Sequence, residues 1–140
     1  MTIVSNATSS ETLTGLGKAL IAVYAVLALA ATFRSIYQIA TKFDEAPLAY
    51  SLSALAALVY IVATIALIAK GQRWRLVARI AITFELVGVL VVGLLSVFAP
   101  ALFGHPSVWS YFGMGYVFIP LALPILGLLW LAKDAKRARA

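Results

Sequence analysis

The stretch RIAITFELVGVLVVGLL, residues 79–95, indicates the fold class because it is almost entirely apolar over most of a membrane's thickness. A helix needs about 20 predominantly apolar residues to cross the roughly 30 Å of hydrocarbon in a bilayer. Backbone groups in lipid must satisfy their own hydrogen bonds, so a single spanning segment of this kind is a helix. The sequence therefore predicts a transmembrane helix here, with Glu85 in its middle.

The composition extends this prediction to the whole chain of 140 residues. Hydrophobic residues make up 64% of it and charged residues only 11%, whereas a soluble domain carries about 25% charged residues. Cysteine is absent and histidine occurs once, which argues against disulfides and against thiolate or histidine metal sites. We predict neither a metal nor a cofactor.

Four apolar stretches separated by short polar segments predict an all-α membrane protein, a four-helix bundle. Their approximate bounds are 16–39, 47–69, 76–99 and 113–132, within a single transmembrane domain over residues 15–132. Residues 1–14 are polar and small, which predicts a flexible tail. Residues 133–140 form a basic tail.

Lysine and arginine counts predict the orientation of the four spans. Nine of these residues fall on the side that holds both termini and two, Arg34 and Lys42, on the other. Cytoplasmic loops carry the excess of positive charge, so both termini are predicted to be cytoplasmic. The lack of cysteine, the richness in Ala, Val and Leu and the lack of a recognisable targeting peptide favour a multi-pass protein of a bacterial inner membrane.

The basic residues lie at the ends of the apolar runs, which indicates a topology signal and not a nucleic-acid groove. On the cytoplasmic side they are expected to contact anionic lipid headgroups. Docking of a cytoplasmic partner is the alternative. The residues concerned are Lys70, Arg73, Arg75, Arg79, Lys133, Lys136, Arg137 and Arg139.

Glu85 is the first candidate site residue because it lies ten residues beyond Arg75, about 15 Å deeper along a helix. A charged carboxylate at that depth costs at least about 2.5 kcal/mol. It must therefore be neutral, be paired, or face protein or water. Three interpretations remain open: a polar contact within the chain, a contact to a partner subunit, and proton or ion binding. Candidate partners within the chain are Tyr24, Tyr60, Thr64 and Thr83.

Arg34 is the second candidate, and its position near the outer end of span one predicts a side chain that reaches the outer headgroups. Pairing with Asp44 or Glu45 in the next loop is the easier alternative, and pairing with Glu85 requires a strained reach. Outer aromatic residues, among them Trp109 and Tyr116, are expected to form an interfacial belt.

Two prolines single out span four as a third candidate region. Pro120 and Pro124 lack an N–H, which predicts a kink and leaves the carbonyls of Tyr116 and Pro120 without their helical donors. Broken helices of this kind bind ions or substrates in transporters. The alternative is a bent helix whose carbonyls are satisfied locally.

Small residues predict which helix faces pack together, because apolar side chains gain little by leaving lipid for one another. Span one offers a stripe of alanines, and span two offers a mixed stripe of small residues. The first comprises Ala19, Ala22, Ala25, Ala28 and Ala31, and the second Ser53, Ala56, Ala57, Ala63 and Thr64. We predict that these two stripes meet in an antiparallel hairpin.

No phosphate-binding, nucleophile-elbow, metalloprotease or dinucleotide motif is present, so we predict no enzymatic activity. The leading prediction is an accessory or assembly subunit of a larger membrane complex, and the alternative is a small homo-oligomeric proton- or cation-coupled transporter or channel using Glu85. The architecture is similar to that of the small multidrug-resistance exporters, which have four spans and an essential membrane glutamate. Theirs lies in the first span and Glu85 in the third, so the resemblance transfers no residue.

Overall fold

A computed structural model shows a protein of helices joined by short connections, with no strand among the described residues. It describes residues 2–69, 71–103, 106–107 and 109–139, with side chains given between residues 14 and 136 except at Leu102. The four α-helices are α1 (Thr2–Lys42), α2 (Pro47–Ile68), α3 (Gln72–Phe98) and α4 (Ile119–Arg139). Short 3₁₀ segments occupy Phe43–Glu45, Pro100–Leu102 and Ser110–Tyr116.

Three helical segments of the described chain are long and apolar enough to cross a membrane: Thr14–Glu45, Pro47–Ile68 and Gln72–Phe98. This confirms the first three predicted spans by length and composition. The α1 helix begins at Thr2, so its backbone continues through the polar stretch that was predicted as a flexible tail. Pro47 starts α2, where a proline suits a helix because its missing N–H would be unpaired anyway.

The fourth predicted span differs from the structure. The α4 helix begins at Ile119 and not at residue 113, so its apolar part, residues 119–132, is shorter than the roughly 20 residues of a full span. Pro120 lies in the first turn of α4, where it interrupts no helical hydrogen bond. Pro124 alone lies inside the helix. Tyr116 belongs to the preceding 3₁₀ segment, so its carbonyl is not part of a broken α-helix.

The contact between α1 and α2 is the most extensive between any two helices, as the hairpin prediction required. Of the five small residues predicted on α2, Ser53, Ala56, Ala57 and Ala63 are buried and Thr64 is half-buried. The α1 prediction is wrong in part, because Ala19 and Ala22 are exposed. The helix instead buries larger residues of the next face, and its buried positions among the described side chains are Gly17, Leu20, Tyr24, Leu27, Ala28, Ala31 and Ser35.

An ion pair connects the beginning of α3 to the end of α4. Arg75 Nη2 lies 2.9 Å from Asp134 Oδ2, and the two side chains are 25% and 14% exposed. Partly exposed pairs of this kind contribute up to about 1 kcal/mol.

We expect Arg75→Gln to lower the free energy of unfolding by no more than about 1 kcal/mol, measured by denaturant titration in mixed micelles. The exposed neighbour Arg73, changed to glutamine, is the control, and a loss for Arg75→Gln several times larger would contradict this estimate.

Candidate functional site

Glu85 lies where three helices converge near the middle of α3. Its side chain is 0% exposed. Tyr24 of α1 and Tyr60 of α2 are also 0% exposed, and their rings contact each other. The α4 backbone passes close by at Gly127, where an added Cβ would lie 3.6 Å from the Tyr24 hydroxyl oxygen. That distance is an ordinary van der Waals contact, so α4 packs beside the Tyr24 hydroxyl at Gly127.

A hydrogen bond within the chain holds the Glu85 carboxyl group. The Tyr24 hydroxyl donates to Glu85 Oε1 over 2.7 Å. The other carboxyl oxygen, Oε2, is buried and has no hydrogen-bond partner among the described residues. Tyr24 is one of the four partners expected from the sequence. The remaining oxygen is a buried polar atom that nothing in the described part of the chain satisfies.

A second hydrogen bond joins Tyr60 to the chain that follows α3. Trp109 Nε1 donates to the Tyr60 hydroxyl over 3.0 Å, and Trp109 is only 2% exposed. The rings of Tyr24 and Tyr60 lie 6.3 Å apart and are tilted by 52°, which connects the Tyr24–Glu85 pair to the Tyr60–Trp109 pair. These four residues, Tyr24, Tyr60, Glu85 and Trp109, are called the Glu85 cluster below.

Gly88 explains how the Trp109 ring reaches this position. An added Cβ at Gly88 would lie 2.5 Å from Trp109 Cζ3, so only a glycine leaves space for the indole one turn along α3 from Glu85. Two buried serines, Ser107 and Ser110, flank Trp109 in the sequence and hold its backbone. Ser107 N donates to Ser110 Oγ over 2.8 Å.

Left-handed backbone begins two residues after Trp109. The φ angles of Tyr111 and Phe112 are 51° and 61°, and those of Val117 and Phe118 are 57° and 59°. Each such residue other than glycine costs on the order of 1–2 kcal/mol, and strain of this kind concentrates at functional sites. The segment that supplies Trp109 to the Glu85 cluster is therefore strained.

Arg34 is exposed and does not meet Glu85. Its Nη1 donates weakly to the Tyr116 hydroxyl over 3.5 Å, and its guanidinium carbon lies 5.9 Å from the centre of the Tyr116 ring. Neither Asp44 nor Glu45 pairs with it among the described residues. The structure therefore brings together two predicted site residues, Arg34 and Tyr116, and the contact of Arg34 with outer headgroups stays a prediction.

The basic residues of the predicted cytoplasmic side differ in exposure. Arg75 is partly buried beside Asp134, whereas Arg73, Arg79, Lys133 and Lys136 are exposed. Lys70 and the side chains of Arg137 and Arg139 lie outside the described part of the chain. A basic surface is thus available at this end for a headgroup or a partner.

Sequence reasoning missed Trp109 as a member of the site and assigned it to the interfacial belt. The available signal was Gly88, since an isolated glycine in an apolar helix often marks a position where another group approaches closely. No family model, curated protein or solved structure matches the chain.

Proposed function

We propose that the chain is a multi-pass protein of a bacterial inner membrane with cytoplasmic termini, and that it binds a proton or small cation at Glu85 as part of a small homo-oligomeric transporter. The three long apolar helices and the nine-to-two distribution of basic residues support the membrane assignment. One observation carries the functional part: Glu85 is fully buried, and its Oε2 atom lacks a partner among the described residues.

The chemistry of this oxygen favours binding over a purely structural role. Buried polar atoms in proteins are almost always hydrogen-bonded, and an exception requires an explanation. Because Tyr24 occupies Oε1, Oε2 is the atom at which a proton adds or a cation binds. The Tyr60 hydroxyl, which accepts from Trp109, is the other side-chain oxygen of the cluster besides those of Tyr24 and Glu85. Ionisable groups inside membranes most often mark proton or ion pathways.

The test is a measurement of charge displacement, which requires no knowledge of the transported substrate. Proteoliposomes adsorbed on a solid-supported membrane receive a rapid step in pH or in cation concentration. We expect a transient current from the unmodified protein, because a proton or cation that binds inside the membrane moves charge across part of the field. In Glu85→Gln, which keeps the shape of the side chain but cannot ionise, this current should be lost.

Glu45→Gln is the matched control because Glu45 is exposed in the connection before α2. It should leave the current unchanged. An unmodified protein that gives no more current than empty liposomes, for both pH and cation steps, would refute the proposal. A current that survives in Glu85→Gln would assign it to another group.

An accessory subunit remains the second candidate, and the exposed small residues of α1 favour it. Gly15, Ala19 and Ala22 lie at helical spacing on a surface that no described helix covers, and small residues let helices approach closely in lipid. Glu85 itself is 0% exposed, so a foreign subunit would contact this small-residue surface and not the carboxyl group. A pull-down at native expression level with mass-spectrometric stoichiometry separates the two candidates, because a stoichiometric foreign protein supports the subunit and a homo-oligomer supports transport.

A further inference from the structure

A cavity of about 250 Å³ opens at the predicted cytoplasmic end of the bundle. It lies between the first described side chains of α1, the end of α2, the start of α3 and the end of α4. It is separate from the Glu85 cluster, none of whose four residues lines it. It therefore requires an explanation of its own.

The rim of this cavity carries an excess of positive charge. Lys18 and Arg75 line it together with Asp134, and Arg75 Nη2 is already paired with Asp134. Lys18 makes no ion pair or hydrogen bond with any described residue. The Lys18 ammonium and the remaining guanidinium N–H groups of Arg75 can therefore both donate to an anion at the rim.

The interior wall of the cavity is apolar. Ile21, Leu67 and Leu131 line it, and the indole of Trp130 forms one side. Trp130 rests directly on α1, because an added Cβ at Gly17 would lie 2.5 Å from the ring. A charged rim above an apolar wall matches a ligand that has an anionic head and a hydrocarbon body.

We propose that this cavity binds one membrane phospholipid, with the phosphate between Lys18 and Arg75 and the first part of an acyl chain against Leu67 and Leu131. A volume of about 250 Å³ lies below the range of about 300–1,000 Å³ that encloses a whole drug-sized ligand. It therefore holds the headgroup end of a lipid while the rest of the chains stays in the bilayer. The proposal is independent of ion binding at Glu85.

The depth of the site favours a lipid over a soluble anion. Lys18 and Arg75 stand at the predicted inner ends of the first and third spans, where headgroups lie, and tryptophan is enriched at that level. A groove on the other side of Arg75, lined by Gln72, Leu76, Arg79 and Ala135, is bordered by two arginines but has no aromatic wall. Its residues provide a control for the experiment.

The experiment uses the full chain in detergent and three probes: dioctanoyl phosphatidylglycerol, inorganic phosphate, and dioctanoylglycerol, which lacks the phosphate. Native mass spectrometry counts bound molecules, and thermal unfolding measures the protection each probe gives. We expect one phosphatidylglycerol per chain and a rise in melting temperature with that probe alone, because only it has both the anionic head and the hydrocarbon body.

Two substitutions locate the bound lipid. Lys18→Gln should weaken lipid binding about fivefold, which corresponds to about 1 kcal/mol for one basic group near a headgroup. Leu67→Trp, which fills the cavity, should abolish binding. Lys136→Gln removes an equivalent charge from outside the cavity and should have no effect, and Arg79→Gln tests the neighbouring groove in the same way.

Each other outcome overturns the proposal. Equal protection by inorganic phosphate would identify a soluble-anion site, and equal protection by dioctanoylglycerol would identify a purely apolar one. Equal weakening by Lys18→Gln and Lys136→Gln would show only a general surface attraction. Weakening by Arg79→Gln but not by Lys18→Gln would place the lipid in the neighbouring groove.

Discussion

Gly88→Leu is expected to lower the free energy of unfolding by about 3 kcal/mol, because its side chain would occupy the place of the Trp109 ring. Overpacking a filled interior costs about 1–3 kcal/mol, and the expelled indole also loses its burial and its hydrogen bond to Tyr60. The measurement is denaturant unfolding in mixed micelles. Tryptophan emission should shift as Trp109 moves into a different environment.

Gly15→Leu is the control for this substitution, since an added Cβ at Gly15 meets nothing within 4 Å. Both changes replace a glycine by leucine within a helix, so the gain in helix propensity is similar for the two. Combining Gly88→Leu with Trp109→Ala should recover part of the loss, since the ring that clashes is then absent. A Gly88→Leu protein as stable as Gly15→Leu would show that Trp109 does not occupy this position.

The second large effect is expected at Glu85, where alanine should lower the free energy of unfolding by about 2–4 kcal/mol. The loss combines the cavity left by a fully buried side chain with a Tyr24 hydroxyl that has lost its acceptor. Glu85→Gln keeps the shape and the acceptor oxygen, so we expect a loss below about 1 kcal/mol. The exposed Glu45, changed to alanine, should stay within about 0.5 kcal/mol of the unmodified protein.

A double-mutant cycle with Tyr24→Phe isolates the hydrogen bond itself. Hydrogen bonds between membrane helices couple by about 0.6 kcal/mol on average and by up to about 1.7. We expect the Tyr24–Glu85 pair to lie in this range, because both residues are fully buried and their oxygens lie 2.7 Å apart. Strictly additive losses in Tyr24→Phe and Glu85→Ala would mean that the two side chains do not interact.

The three long helices could be predicted because each contains an apolar run long enough to cross a membrane. The fourth could not be predicted correctly. Residues 113–118 are as apolar as a membrane-spanning helix, but their backbone is left-handed at Val117 and Phe118. The side chains of those two residues do not predict a left-handed backbone. The start of α4 at Ile119 depends on packing of the preceding segment against α3.

Counting residues placed Glu85 near the middle of its helix, as the bounds of α3 have it, and Tyr24 was among its expected partners. Which face of α1 turns inward did not follow, because both the alanine face and the Leu20–Tyr24–Leu27 face are apolar enough to be buried. The choice depends on how large side chains such as Tyr24 fit between the other helices. The role of Trp109 required knowing the path of the chain after α3, on which periodicity gives no information.

The order of the Glu85 cluster along the chain has a consequence for biosynthesis. If the helices enter the bilayer in the order in which the ribosome delivers them, Tyr24 is already in place when Glu85 arrives. The first helix then provides the hydrogen-bond donor for the carboxyl group of the third helix as soon as that helix is inserted. Tyr60 acquires its hydrogen-bond donor later, because Trp109 is translated only after α3 is complete. The carboxyl group of Glu85, whose burial without a partner would cost the most, thus has its hydrogen bond before the last segment of the protein has been made.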